Sequence, residues 1–297
     1  MGFTGLDQIV RAQTVLDDAE DWDFEKTPVT AGALVAGSAY DFYEAPNLPF
    51  GNLFPIGSTA FKAVRNNNGV PQAGGVGINA INMLPPTGGK TRHLTYLEHD
   101  GGNVAGAVGD IFLFDLLGFY CDFNLAGAGT QLTGTGVGVA DVTRYTNGVN
   151  VLMYVVTQVV LAGASPTLTI AFTDGTLSSV NTAAMPLTPA AVRGQIPTTG
   201  VFKIPTPKGV VAVRSVTFSA GPPATGKLAI MLVRQLGKIS HTTAQQSKSK
   251  SFLDPAGEFR VPKWDSDAVP AFAFRARAVS TSPIFGGQFQ TTKGYAT

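Results

Sequence analysis

The residues best suited to chemistry in this sequence are three histidines, His93, His99 and His241, and an acidic run near the start. In "RHLTYLEHD" a regular strand would set His93 and His99 on one face, with Glu98 and Asp100 beside them. Two imidazoles and a carboxylate are a set that zinc accepts. Isolated polar residues of a strand more often serve local hydrogen bonds, and that meaning is preferred. The run "DDAEDWDFE" holds Asp17, Asp18, Glu20, Asp21, Asp23 and Glu25. As a Ca²⁺ loop it lacks the central Gly and the distal Glu. It is expected to be a solvated segment closing a helix, or an acidic arm that docks on a basic partner surface.

Other catalytic patterns fail on inspection. "PPTGGKTRH" invites comparison with a phosphate-binding loop, but Leu84 stands where the first Gly is required. No G-x-S-x-G elbow occurs, and no Ser, His and acid grouping stands out. A glycosidase pair of carboxylates is disfavoured because the acids concentrate in the N-terminal run, where raised pKa values are least expected. The expectation is a protein that is not an enzyme, with no cofactor, no metal site and no catalytic residue.

Composition narrows the partners. Charged residues are 14% of the chain and hydrophobic residues 44%, against about a quarter charged in ordinary globular proteins. A surface engaged with other subunits tolerates so few charges, since interfaces deplete charge at their centres. The net charge of +1 gives no field for nucleic acid or an acidic membrane. "SKSKS" supplies only Lys248 and Lys250, a solvated loop rather than a basic stripe. The lone Cys121 sits in an apolar run and reads as a small buried hydrophobe. "MGFTGLDQIV" lacks the basic and apolar regions of a signal peptide, so folding in a cytoplasm is expected.

The elements that must position any site are mostly strands. "VLMYVVTQVVL", Val151 to Leu161, is too short to cross a bilayer as a helix and is apolar on both faces as a strand. One face, with Val151, Met153, Val155, Val159 and Leu161, can line a core. The other, with Leu152, Tyr154, Val156 and Val160, needs a second cover, either this chain or a neighbour. In "PTLTIAFTDG", Leu168, Ile170 and Phe172 face in while Thr167, Thr169 and Thr173 face out, and Asp174-Gly175 turns the chain. "TNG", Thr146 to Gly148, is a second turn of the hairpin kind. In "GVVAVRSVTFSAG", Val211 and Val213 hold one parity and Val216 and Phe218 the other, which predicts a β-bulge near Arg214 and Ser215. A helix is expected over 4–20, capped by Thr4, with Leu6, Ile9, Val10, Gln13 and Leu16 on one face. Residues 26–92 and the Pro-rich loop 182–209 look irregular, and "AFAFRARAVS" reads as one further strand.

This predicts a mainly β protein, an antiparallel β-sandwich or jelly-roll-like body with a short N-terminal helix and extended arms. Its divisions are expected at 1–90 (helix and arm), 91–240 (sandwich core) and 241–297 (C-terminal extension). Over residues 90–240 the spacing resembles structural proteins of tailed bacteriophages. The residues that carry the likeness are "RYTNG", "LTIAFT", "GVVAVRSVT" and "LAIMLVRQL", with "GNVAGAVGDIFLFDLLGFY" upstream. The Pro-rich stretch after Asp174 departs from that pattern, where Thr is expected.

The resemblance implies a virion component with no catalytic residues to carry over. The expected role is cementing or decorating a capsid surface through passive, multivalent contacts with a major capsid protein and with copies of itself, as a homo-oligomer such as a trimer, after synthesis in the host cytoplasm. Leu6, Ile9, Val10, Leu152, Tyr154, Val156 and Val160 are the expected oligomer or lattice contacts, against the rival that one chain covers both faces of Val151–Leu161. The alternatives are a tail, neck or baseplate component, a major capsid subunit, and a receptor module gripping glycans through exposed Trp22, Trp264 or tyrosine residues.

Overall fold

The computed structural model describes residues 19–26, 35–41, 58–64, 91–100, 108–127, 129–163, 166–199, 202–219, 225–242, 247–251, 263–265, 268–278 and 285–294. In chain order the strands are β1 (Ala19–Lys26), β2 (Ala39–Asp41), β3 (Lys62–Ala63), β4 (Thr91–Asp100), β5 (Gly109–Asn124), β6 (Gly129–Leu132), β7 (Val151–Ala162), β8 (Thr167–Asp174) and β9 (Ser179–Asn181). There follow β10 (Met185–Pro186), β11 (Gln195–Ile196), β12 (Val210–Phe218), β13 (Thr225–His241), β14 (Ser247–Ser251), β15 (Lys263–Trp264), β16 (Pro270–Ala276) and β17 (Phe285–Gly294). The protein is mainly β, and the strand pairs are antiparallel.

Three sheets result. The long sheet runs β11-β2-β16-β5-β13-β7, with β3 also on β5. The small sheet runs β10-β8-β12-β6, with β9 on β8, and the terminal sheet runs β1-β17-β4-β14, with β15 on β4. β5 is buried along nearly its whole length because both its faces are covered, which explains an apolar run without alternation. Two apolar clusters do the covering. Ile111, Leu113, Phe272 and Phe274 of the long sheet join Leu97 and Phe289 of the terminal sheet in one. Tyr120, Phe123, Val155 and Ile230 of the long sheet join Ile170 and Val216 of the small sheet in the other.

β7 divides the same two clusters. Val151, Met153, Val155 and Leu161 face the small sheet, whereas Tyr154 and Val156 lie in the cluster shared with β5 and β16. Its polar break also has a purpose: Gln158 Oε1 accepts from the Asp122 N–H at 2.8 Å, where β5 carries a positive φ of 68°. As the edge strand, β7 is screened by the Pro-rich loop. Ile204 N–H donates to Met153 at 2.9 Å, Gly194 N–H to Thr157 at 2.8 Å, and Leu161 N–H to Ala191 at 3.0 Å. Covering an edge in this way removes a template for pairing with another chain.

β8 alternates as its sequence requires, with Leu168, Ile170 and Phe172 buried, although Thr173 is buried too. The register between β12 and β8 shifts between Val213 and Ser215, where the parity change places a bulge. Cys121 is a buried thiol, as expected. "TNG" forms a 3-10 turn with positive φ at Asn147 and Gly148, and it opens β7 without a hairpin partner before it. The helix expected over 4–20 lies outside the described residues except at its end, where Ala19 and Glu20 already belong to β1. The acidic segment Glu20–Glu25 is therefore a strand rather than a helix end; it pairs with β17, Trp22 opposite Phe289. "AFAFRARAVS" contributes β16, and β14, β15 and β17 also lie after residue 241.

The Asp174 turn is held by its own side chain. Oδ1 accepts from the Thr176 N–H at 2.8 Å, the Thr176 hydroxyl at 2.7 Å and the Ser178 N–H at 3.0 Å. The Thr176 hydroxyl bond is the main reason that its pKa falls below the ordinary carboxylate value, against the opposing effect of burial. A depressed folded pKa gives stability that is present at neutral pH and lost as pH falls through that pKa. Asp174→Ala is expected to cost about 1–2 kcal/mol at neutral pH. In urea unfolding, its deficit against the wild type should shrink in acid.

Candidate functional site

The histidines do not assemble as their spacing suggests. The β17–β4 register passes from Leu94↔Thr291 to Tyr96↔Gln290, so Thr95 is an extra residue in β4. One extra residue reverses the facing of everything beyond it. Leu94 and Leu97 can therefore both enter the core, and His93 and His99 fall on opposite faces. His99 instead meets His241 edge-on at 5.3 Å and stacks on Phe274 at 6.3 Å. Glu98 accepts from the Tyr96 hydroxyl at 2.6 Å and from Gln288 Nε2 at 3.0 Å. Among the described residues no group of three His, Cys, Asp or Glu side chains could hold a metal ion.

Buried acids are instead knotted to donors. Asp115, fully buried in β5, pairs with Arg144, accepts from the Tyr145 hydroxyl at 2.8 Å and from the Val269 N–H at 3.0 Å. Arg144 also donates to the Val64 carbonyl, and the Arg234 guanidinium lies 4.2 Å above the Tyr145 ring. Burial pushes the Asp115 carboxyl above its ordinary range, and the Arg144 charge leads the groups that limit the rise. Four separate chain segments meet there: 64, 115, 144–145 and 269. Three donors converge on the carboxylate and tie these segments together. A second knot joins the Tyr120 hydroxyl to Asp141 at 2.5 Å while accepting from the Val213 N–H at 2.9 Å. Sequence reading passed over both knots. A lone Asp inside "IFLFDLLGF" was the available signal, because a buried carboxylate demands a partner.

The expected contact residues divide four ways. Leu6, Ile9 and Val10 lie outside the described residues. Tyr154 and Val156 are interior, 0% and 1% exposed, and the Tyr154 hydroxyl bonds Asp41. The second cover for that face is this chain itself, so the rival reading of β7 holds at these two positions. Leu152 is partly buried against the same cluster. Val160 stays outside, 47% exposed, beside the equally exposed Val159. Further apolar side chains are exposed at Leu132, Val137, Val139, Val149 and Leu177. Trp264, a candidate glycan platform, is 1% exposed and stacks on Phe289 at 5.5 Å, so it cannot meet a ligand.

No family model matches the chain, and no curated protein matches it. Among solved structures, T=1 particles derived from infectious bursal virus align with a TM-score of 0.19 and 12% identity, over 94% of this chain and 79% of that one. The infectious bursal disease virus VP2 subviral particle aligns at 0.16 and 10%, over 93% and 81%. Likeness at this level carries no argument about fold or assembly.

Proposed function

We propose that the chain is a non-enzymatic structural protein of a virion, a sandwich or jelly-roll-like body that cements or decorates a bacteriophage capsid. The observation that carries the reading is a chain poor in charge that leaves several valine and leucine side chains exposed. Charged residues make up 14% of the chain, and Val159, Val160, Leu132, Val137 and Val139 are each at least 47% exposed. Exposed apolar side chains on a chain with so few charges suit a protein surrounded by fixed neighbours. The spacing likeness over residues 90–240 to tailed-phage structural proteins points the same way. Weak contacts repeated by symmetry give firm attachment without any single strong interface. The partners would be the major capsid protein and further copies of this chain.

Mass spectrometry of purified particles and antibody-labelled electron microscopy test the reading. The protein should copurify with heads at a fixed stoichiometry, and its absence from particles would defeat it. The paired change Val159→Lys with Val160→Lys should lower head binding by about tenfold or more. The isolated protein should stay within about 0.5 kcal/mol of wild-type stability, since both positions are exposed. Unchanged binding would remove β7 from the contact surface.

A further inference from the structure

A cleft opens between the long sheet and the Pro-rich loop, on the side of the sheet away from β4 and β17. Phe112 of β5 and Lys238 of β13 are register partners, and Asp110 faces Arg275 of β16 one pair further on. Phe202, Lys203 and Pro205 of the loop close over them. The Lys203 ammonium lies 4.8 Å from the centre of the Phe112 ring and 5.9 Å from that of Phe202. The Lys238 ammonium lies 5.4 Å from the same Phe112 ring. Two cations therefore gather around one aromatic ring, which brings like charges close together.

The local charge is unbalanced. Among the described residues, Asp110 is the one carboxylate lining this lobe, and it is already engaged by Lys238 at 3.3 Å and by Arg277 at 2.8 Å. Lys203 donates to Gln235 Oε1 and pairs with no carboxylate among the described residues. Burial first, and the Lys238 charge second, push the Lys203 ammonium below its ordinary pKa. An anion entering here would relieve the repulsion between the two lysines and find Arg275 on the rim.

A second lobe continues from the first, sharing Phe202 and Arg275 as its wall. It is lined by the hydroxyl residues Ser38, Thr188, Thr198 and Thr199, with Thr188 and Thr199 oxygens 3.4 Å apart. Cations on one side, hydroxyls on the other and a half-buried aromatic ring between them describe a ligand with three matching parts. It carries an oxyanion, a flat face of C–H groups to lie on Phe202, and hydroxyls spaced along a ring.

We propose that this two-lobed cleft binds an acidic saccharide, its carboxylate or sulfate held between Lys203, Lys238 and Arg275 and its hydroxyls against Ser38 and the threonines. The site is separate from the apolar surface assigned to assembly, so either can fail without the other. Isothermal titration of the full chain with sialyllactose, a heparin-derived tetrasaccharide, lactose and sodium sulfate tests it. Sialyllactose binding supports a carboxylate and the tetrasaccharide a sulfate. At least one should bind about tenfold or more tightly than lactose. That binding should weaken with added salt. Arg275→Gln, on the exposed rim, and Lys203→Met should each reduce it about tenfold, with circular dichroism unchanged. Binding of both acidic sugars no tighter than lactose overturns the proposal, as does sodium sulfate binding as tightly as the better sugar. Wild-type affinity in both folded variants overturns it equally.

Discussion

Arg144→Met should destabilise the protein by about 3–5 kcal/mol, because it leaves the Asp115 carboxylate buried without its cation. The pair is almost closed to solvent, with side-chain exposures of 7% and 0%. Removing the charge also frees the Val64 carbonyl, which Arg144 caps. Asp115→Leu alone should cost a similar amount, since it strands the guanidinium and strips the Tyr145 hydroxyl and the Val269 N–H of their acceptor. The double change, Asp115→Leu with Arg144→Met, should cost clearly less than the two singles added, because no unpaired charge remains. Urea unfolding of the four proteins measures the coupling. A single-variant loss under about 1 kcal/mol would mean that water reaches the pair and that the four segments are not joined there.

Gly209→Ala is the second large effect, expected at about 2–5 kcal/mol. Three turns press backbone to backbone at Gly148, Gly175 and Gly209. Gly175 N–H donates to the Lys208 carbonyl at 3.2 Å, and Val149 N–H closes its own turn on Thr146 at 3.3 Å. Gly209 has a φ of +75°, and a methyl group there would collide with the Gly148 carbonyl oxygen. A methyl at Gly148, where φ is +61°, would stand 2.5 Å from the Val210 oxygen. Gly134 is the control: its φ is +85° but nothing lies within 4 Å. Gly134→Ala should therefore cost only the backbone term, about 1–2 kcal/mol. Equal losses in thermal unfolding would show that crowding at the three turns contributes nothing.

Those three turns show what the sequence makes legible. Asn147-Gly148 and Asp174-Gly175 announce turns through their residue types, and "LTIAFT" and the parity change after Val213 announce a strand and a bulge. All of these are set by residues within a few positions of one another. That the turns touch is a tertiary fact, and nothing in "TNG" or "TDG" encodes it. The bulge at Thr95 is invisible for a related reason. "HLTYLEH" alternates acceptably in either phase, and only packing of both Leu94 and Leu97 into one core selects the slip. The acidic segment reads as a helix end because its partner, β17, lies far along the sequence. The Phe202 cleft left no trace either. Its cations come from loop 202–205, β13 and β16, each unremarkable in its own stretch.

The terminal sheet also bears on the order of synthesis. β17 is the strand that joins β1 to β4, and all the other described strands lie between β1 and β17 in sequence. A ribosome makes β1 well before β17, so the nascent β1 has no ladder to enter while the intervening strands emerge. Its four acids, Glu20, Asp21, Asp23 and Glu25, are the charge that would keep such a waiting segment from sticking to its neighbours on a polysome. Completion of this sheet must therefore wait for β17, in whatever order the other strands fold.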